Sequence, residues 1–98
     1  MTAWSVYLIR GAGGVIYTGI ATDVDRRLEE HRAGRGAKFL RGRGPLRVVY
    51  RRQIGSRSLA QSIEHRLKAL SKTEKRAIVR AAPSRKKLLR ALEPVVRK

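Results

Sequence analysis

Two short runs of β-branched and aromatic residues bracket a glycine cluster near the N-terminus, and this limits the fold more than any other feature of the chain. In residues 4–10 (WSVYLIR), Trp4, Val6 and Leu8 alternate with Ser5, Tyr7 and Ile9, the period of a strand. Gly11-Ala12-Gly13-Gly14 is turn chemistry, because glycine tolerates positive φ. Residues 15–20 (VIYTGI) are again β-branched and aromatic. Together they predict a β-hairpin.

Helical patterning follows. Thr22 with Asp25 reads as a capping-box-like start, Val24 and Leu28 mark a buried stripe running to about Ala33, and Gly34 is a stop. Residues 34–45 (GRGAKFLRGRGP) form a glycine-rich basic loop. Residues 46–54 (LRVVYRRQI) predict a third strand with Leu46, Val48 and Tyr50 on one face. Leu59, Ile63, Leu67 and Leu70 form one stripe of a helix over 57–71. Ser71 and Glu74 make a capping box for a short third helix, and Pro83 is placed to open a last one through Leu92. The order β-β-α-β-α-α implies an α+β fold: a three-stranded antiparallel sheet flanked by helices. At 98 residues the chain is sized for one hydrophobic core, assigned to 1–79, with 80–98 as a basic helical extension.

Charge then narrows the function. Twenty-four Lys and Arg against seven Asp and Glu give a net charge of +17. Residues 1–34 are neutral, whereas residues 35–57 carry eight basic side chains and no acid. Such a block marks a polyanionic partner, most commonly nucleic acid, better than it marks general solubility. The absence of cysteine excludes disulfides, thiol catalysis and cysteine zinc sites, and two histidines are too few for a multi-histidine metal cage. The N-terminal run lacks the charged start of a secretory signal, and no stretch approaches the ~20 apolar residues of a membrane span. A cytoplasmic protein, nucleoid-associated if it binds DNA, is the expectation.

A few polar residues call for more than solvation. Tyr7 and Tyr17 lie in partner strands, near enough to share a face, although two core aromatics would look the same. Arg27 and His31 are i and i+4 on the first helix, at the border of its buried face; a solvated flank is the bland alternative. Glu64, the only acid between Glu30 and Glu74, sits at the border of the second helix's stripe. It fits an ion pair with a neighbouring base, or a divalent cation beside phosphate.

Ser5-Val6-Tyr7, Tyr17-Thr18-Gly19, Arg27 ten residues after Tyr17, His31, and Glu64 on a later helix together resemble the GIY-YIG nuclease domain, in particular its small stand-alone bacterial branch. The resemblance spans roughly residues 4–79. It implies metal-assisted hydrolysis of a phosphodiester, with Tyr7, Tyr17, Arg27, His31 and Glu64 as catalytic residues. Glu64 would hold one Mg²⁺, with Mn²⁺ as a substitute, and no small-molecule cofactor is implied. Arg27 would stabilise charge on the scissile phosphate. Tyr7 or Tyr17 would help deprotonate water, its pKa lowered by the nearby arginine and metal, and His31 would orient a tyrosine hydroxyl or share the base role. Gly19, Arg35, Lys38, Arg41 and Arg43 are expected to contact nucleic acid, most plausibly DNA, and Phe39 to stack on an open base. Few side chains here can discriminate bases, so selectivity for structure or ends is expected, as in repair or recombination. The chain has no Asn, which some family members use downstream. That absence supports a second reading, a catalytically silent DNA- or RNA-binding module on the same fold. A third is membrane association through the basic amphipathic segment 84–92.

Overall fold

The computed structural model describes residues 2–92. Strands β1 (Trp4–Arg10), β2 (Ile16–Ala21) and β3 (Arg47–Gly55) form an antiparallel sheet in the order β2-β1-β3. Helix α1 (Val24–Arg32) follows the hairpin, and α2 (Arg57–Lys68), α3 (Lys72–Ala81) and α4 (Arg85–Ala91) follow β3. The α+β architecture inferred from the sequence is the one observed. The hairpin turn passes through Gly13 and Gly14 at φ 80° and 77°, the left-handed region that glycine enters without strain.

Because β1 is central, both of its faces are covered. Val6 and Leu8 enter one cluster with Tyr50, Ile63, Leu67 and Leu88, beneath α2 and α4. Tyr7 and Ile9 enter another with Ala21, Val24, Leu40 and Leu46, beneath α1 and the basic loop. This explains why both alternating sets of β1 are apolar. The sheet therefore separates α1 from α2, and a residue's place along a strand decides which helix it meets.

Several local expectations need correction. Leu46, Val48 and Tyr50 do not share a face. Leu8 pairs with Tyr50 but Ile9 with Val48, so Val49 is an extra residue. This bulge turns Tyr50 into the cluster opposite Leu46 and Val48. The cap of α1 is Asp23 rather than Thr22: its carboxylate accepts from the Arg26 N–H at 3.0 Å. A carboxylate both caps and complements the positive helix end. Helix α2 ends at Lys68, three residues early, under a Ser56 cap. The Ser71–Glu74 capping box forms as read. Ser84, not Pro83, caps α4. The Pro83 carbonyl instead accepts from the Tyr50 hydroxyl at 2.7 Å and from Arg52 Nε at 2.8 Å, tying the α3–α4 linker to β3.

The tail is more integrated than an extension. Position 79 falls inside α3, and Leu88 is fully buried in the cluster that holds Val6 and Leu8. Burial of Leu88 and Leu92 removes the apolar face that membrane association of 84–92 would require. The part of the tail at 93–98 lies outside the described residues. Among the described residues, no helix is long and apolar enough to cross a membrane.

Candidate active site

The site begins with a glycine. Tyr7 pairs across the hairpin with Gly19, and a Cβ at Gly19 would overlap the Tyr7 hydroxyl. Gly19 is itself buried. The missing side chain gives the Tyr7 ring its room. Two pairs further along the hairpin, Ile9 faces Tyr17, which brings Tyr17 diagonally beside Tyr7 with ring centroids 6.4 Å apart.

Helix α1 brings in His31 and Arg27. His31 lies inside the packed face rather than at its border, only 2% exposed. Its Nε2 is 2.8 Å from the Tyr7 hydroxyl, and its Nδ1 accepts from the Ala37 N–H at 3.0 Å. Tyr17 sets its edge against the His31 ring at 5.4 Å. Phe39 stacks outside Tyr17 at 6.2 Å, with the Arg43 guanidinium 4.7 Å from the Phe39 centroid. Arg27, half-buried, donates from Nη1 to Glu30 Oε1 at 2.9 Å.

Glu64 comes from α2, on the other side of the sheet. The two helices approach each other at the end of β2, beside Ile20 and Ala21. There they line one cavity of about 480 Å³, with Arg26, Arg27 and Glu30 on the α1 wall and Arg57, Gln61 and Glu64 on the α2 wall. Glu64 also pairs with Lys68 at 3.3 Å, so the ion-pair alternative and the cleft location hold together. Tyr7 and His31 lie beneath this cleft rather than in it.

Electrostatics set the resting protonation states. Burial, then the neighbouring Tyr17 and Glu64 charges, push the Tyr7 hydroxyl up to about 12 against the lowering effect of Arg27. Arg27 alone therefore does not bring Tyr7 below its ordinary value, because burial outweighs the guanidinium. Burial, and then Arg27, lower the His31 pKa, so the imidazole is neutral at neutral pH. Arg27 holds the Glu30 carboxyl below its usual value.

Arg35, Lys38, Arg41 and Arg43 are exposed, but none of them lines the cleft. Arg41 and Arg43 each give one donor to the loop, Arg41 Nε to the Gly34 carbonyl and Arg43 Nε to that of Phe39. Of the arginines that do line the cleft, Arg27 was singled out in the sequence but Arg26 and Arg57 were not, nor was Glu30. Their signals were faint: Glu30 is three residues after Arg27, and Arg57, the last basic side chain of the 35–57 block, is two helical turns before Glu64.

The geometry can be set beside known proteins. The sequence model of the GIY-YIG catalytic domain matches residues 3–77. The chain belongs to the GIY-YIG family. It is 47% identical over 98 residues to the UPF0213 protein YhbQ of Salmonella arizonae, covering 100% of this chain and 98% of that one. It is 51% identical over 81 residues to the UPF0213 protein YE0453 of Yersinia enterocolitica, covering 83% and 84%. The solution NMR structure of the UPF0213 protein BH0048 from Bacillus halodurans superposes with a TM-score of 0.54 at 35% identity, covering 95% of this chain and 99% of that one.

GIY-YIG nucleases typically use a divalent metal, and the donor set can be tested for one. Among the described residues, no three His, Asp or Glu side chains gather into a metal cage. Mg²⁺ does not need one: it keeps several waters and binds through one or two carboxylates together with substrate phosphates. Glu64, a hard oxygen donor on the wall of an open cavity between arginines, fits that mode.

Proposed function

We propose that this protein is a Mg²⁺-dependent DNA nuclease that hydrolyses phosphodiester bonds in the cleft between α1 and α2. The observation that supports it most is that Arg27 and Glu64, far apart in sequence and on opposite sides of the sheet, face one cavity and both act on the buried Tyr7 hydroxyl that His31 holds. A cleft in which Arg26, Arg27 and Arg57 stand among the carboxylates of Asp23, Glu30 and Glu64 suits a phosphate bridged to a divalent cation.

Each residue then has a definite task. Arg27 presents the guanidinium donors not used by Glu30 to the scissile phosphate, where they stabilise charge as it builds in the transition state. Arg26 and Arg57 hold the flanking backbone from opposite walls. Glu64 holds the Mg²⁺, which when bound supplies Lewis acidity to a phosphate oxygen. The Ala37 N–H orients His31, and His31 orients the Tyr7 hydroxyl. Gln61 is the one neutral amide side chain on the walls, so recognition is of the backbone, and selectivity is for structure or ends. Repair or recombination intermediates are the substrates this suits.

The test is cleavage of end-labelled single-stranded, duplex, flap and junction DNA at low salt, with Mg²⁺ or EDTA. Metal-dependent cutting, unequal among the four, is the expected result. Tight binding without cutting on any of them would instead establish a binding module.

A further inference from the structure

The hairpin turn and α3 enclose a second basic surface, outside the cleft. Lys72, Arg76 and Arg80 stand at i, i+4 and i+8 of α3 and so share one face. That face is turned to the hairpin: a Cβ on Gly14 would lie 3.5 Å from Arg76 Nη2 and 4.0 Å from Lys72 Nζ. Two cavities run along it, with Ile16 in the wall of both. One, of about 320 Å³, sets Arg10, Arg76 and Arg80 around Ile16, Val49 and Val79. The other, of about 250 Å³, sets Lys72 and Lys75 around Val15, Ile16 and Phe39. Among the described residues, no carboxylate lines either cavity, and none of these five cations pairs with one. Glu74, the acid of α3, instead accepts from the Ser71 N–H at 2.8 Å and stays at the helix start.

The last turn of α2 joins this surface to the cleft. Lys68 Nζ pairs with Glu64 at 3.3 Å and lies 6.0 Å from the Tyr17 ring centroid. Lys75 stands close enough to feel its charge: burial, and then Lys68, lower the Lys75 pKa. A bound anion relieves like charges held together in this way. Cations interleaved with apolar walls suit a polyanion that also offers apolar surface. A single strand offers both, phosphates together with sugars and open bases, whereas a duplex stacks its bases inside.

We propose that a single strand of nucleic acid continuing from the cleft runs past Lys68 and Lys75 and along α3, with Lys72, Arg76, Arg80 and Arg10 on its phosphates. The inference rests on the nuclease reading for where the strand comes from, but not for the track itself. A single-stranded tail is what separates a flap or an overhang from a blunt duplex, so the track gives selectivity for structure a physical basis.

Binding in EDTA reads the track without cleavage. Lys72, Arg76 and Arg80 are exposed and glutamine is a good helix former, so Lys72→Gln/Arg76→Gln/Arg80→Gln should keep the fold. Each phosphate contact on a single strand adds about 0.7 to the slope of log K against log salt, so losing three should lower the slope by about 2 and weaken binding of a long thymidine oligonucleotide by about tenfold or more. A blunt duplex should lose far less. The same charge removed from the exposed positions of α4, by Lys86→Gln/Lys87→Gln/Arg90→Gln, should leave the single-strand slope as in the wild type. An unchanged slope in the α3 variant, or an equal loss on the duplex or in the α4 variant, would overturn the proposal. Lysine acetylation of the wild type locates the strand without any substitution: the oligonucleotide should protect Lys72 and Lys75 and leave Lys86 and Lys87 reactive, and Lys72 and Lys75 left unprotected would overturn the proposal even if the α3 variant failed to fold. A wild type that binds along α3 but cuts nothing with Mg²⁺ would remove the nuclease reading and leave the track standing. One that cuts, while the α3 variant binds as the wild type does, would do the reverse.

Discussion

At the scale of single residues, the site depends on volume as much as on charge. The Tyr7 ring lies across Gly19, so Gly19→Ala must displace either the ring or the strand. Overpacking of this kind costs about 1–3 kcal/mol. A urea midpoint equal to the wild type would contradict the packing described. His31 gives a second test. Its pKa is depressed in the folded state, so below the unfolded value of about 6.5 the unfolded chain binds the additional proton. Stability should therefore be full above that pH and decline as pH falls through the depressed folded value. Urea midpoints measured from pH 7.5 down to 5 should fall, and His31→Gln should flatten the decline; the same decline in both proteins would place its origin elsewhere. The residue types of the site were legible in the sequence, because Tyr7, Tyr17, Arg27, His31 and Glu64 stand in a recognisable order. Their burial was not, since an angular offset on a helix does not say that a loop closes over it.

At the scale of elements, α1 carries a feature that periodicity does not show. Glu30 occupies one donor of Arg27 and adds a negative charge to a cleft that must admit a polyanion. The pair is partly exposed and screened by solvent, so losing it costs the fold little. Glu30→Gln should accordingly tighten DNA binding in EDTA by up to about fivefold, read by anisotropy titration; weaker binding would mean that the carboxylate chiefly holds Arg27 in place. Elements and most boundaries were readable from apolar spacing and glycine stops. The errors came from choices the local code leaves open. Thr22 and Asp23 are both good caps, and the carboxylate prevailed. The Val49 bulge depends on pairing with β1, which no pattern within residues 46–54 contains.

At the scale of the whole molecule, the tail and the charge matter most. Leu88 closes the cluster that holds Val6, Leu8 and Leu67, so a chain ending at residue 79 would expose that face. Leu88→Ala should cost about 2–5 kcal/mol, lower the thermal midpoint and promote binding of a hydrophobic dye, whereas a wild-type midpoint would restore the view of 80–98 as an appendage. The apolar leucines of the tail were visible in the sequence, but which surface they cover depends on chain reversal after α3. Likewise the basic block 35–57 drew attention to Arg35, Lys38, Arg41 and Arg43, whereas of that block it is Arg57 that walls the cleft, facing Arg26 and Arg27 from the other side of the sheet. That convergence, at the end of β2, is a property of topology.

The central claim is that the cleft between α1 and α2 hydrolyses phosphodiesters with Glu64 holding the metal. The most direct measurement is cleavage and binding of one end-labelled DNA by wild type and Glu64→Ala side by side, with Mg²⁺ for cleavage and EDTA for binding. Cutting lost in the variant while binding is retained is the predicted result. Equal cutting by both proteins, or cutting by the wild type in EDTA, would contradict it.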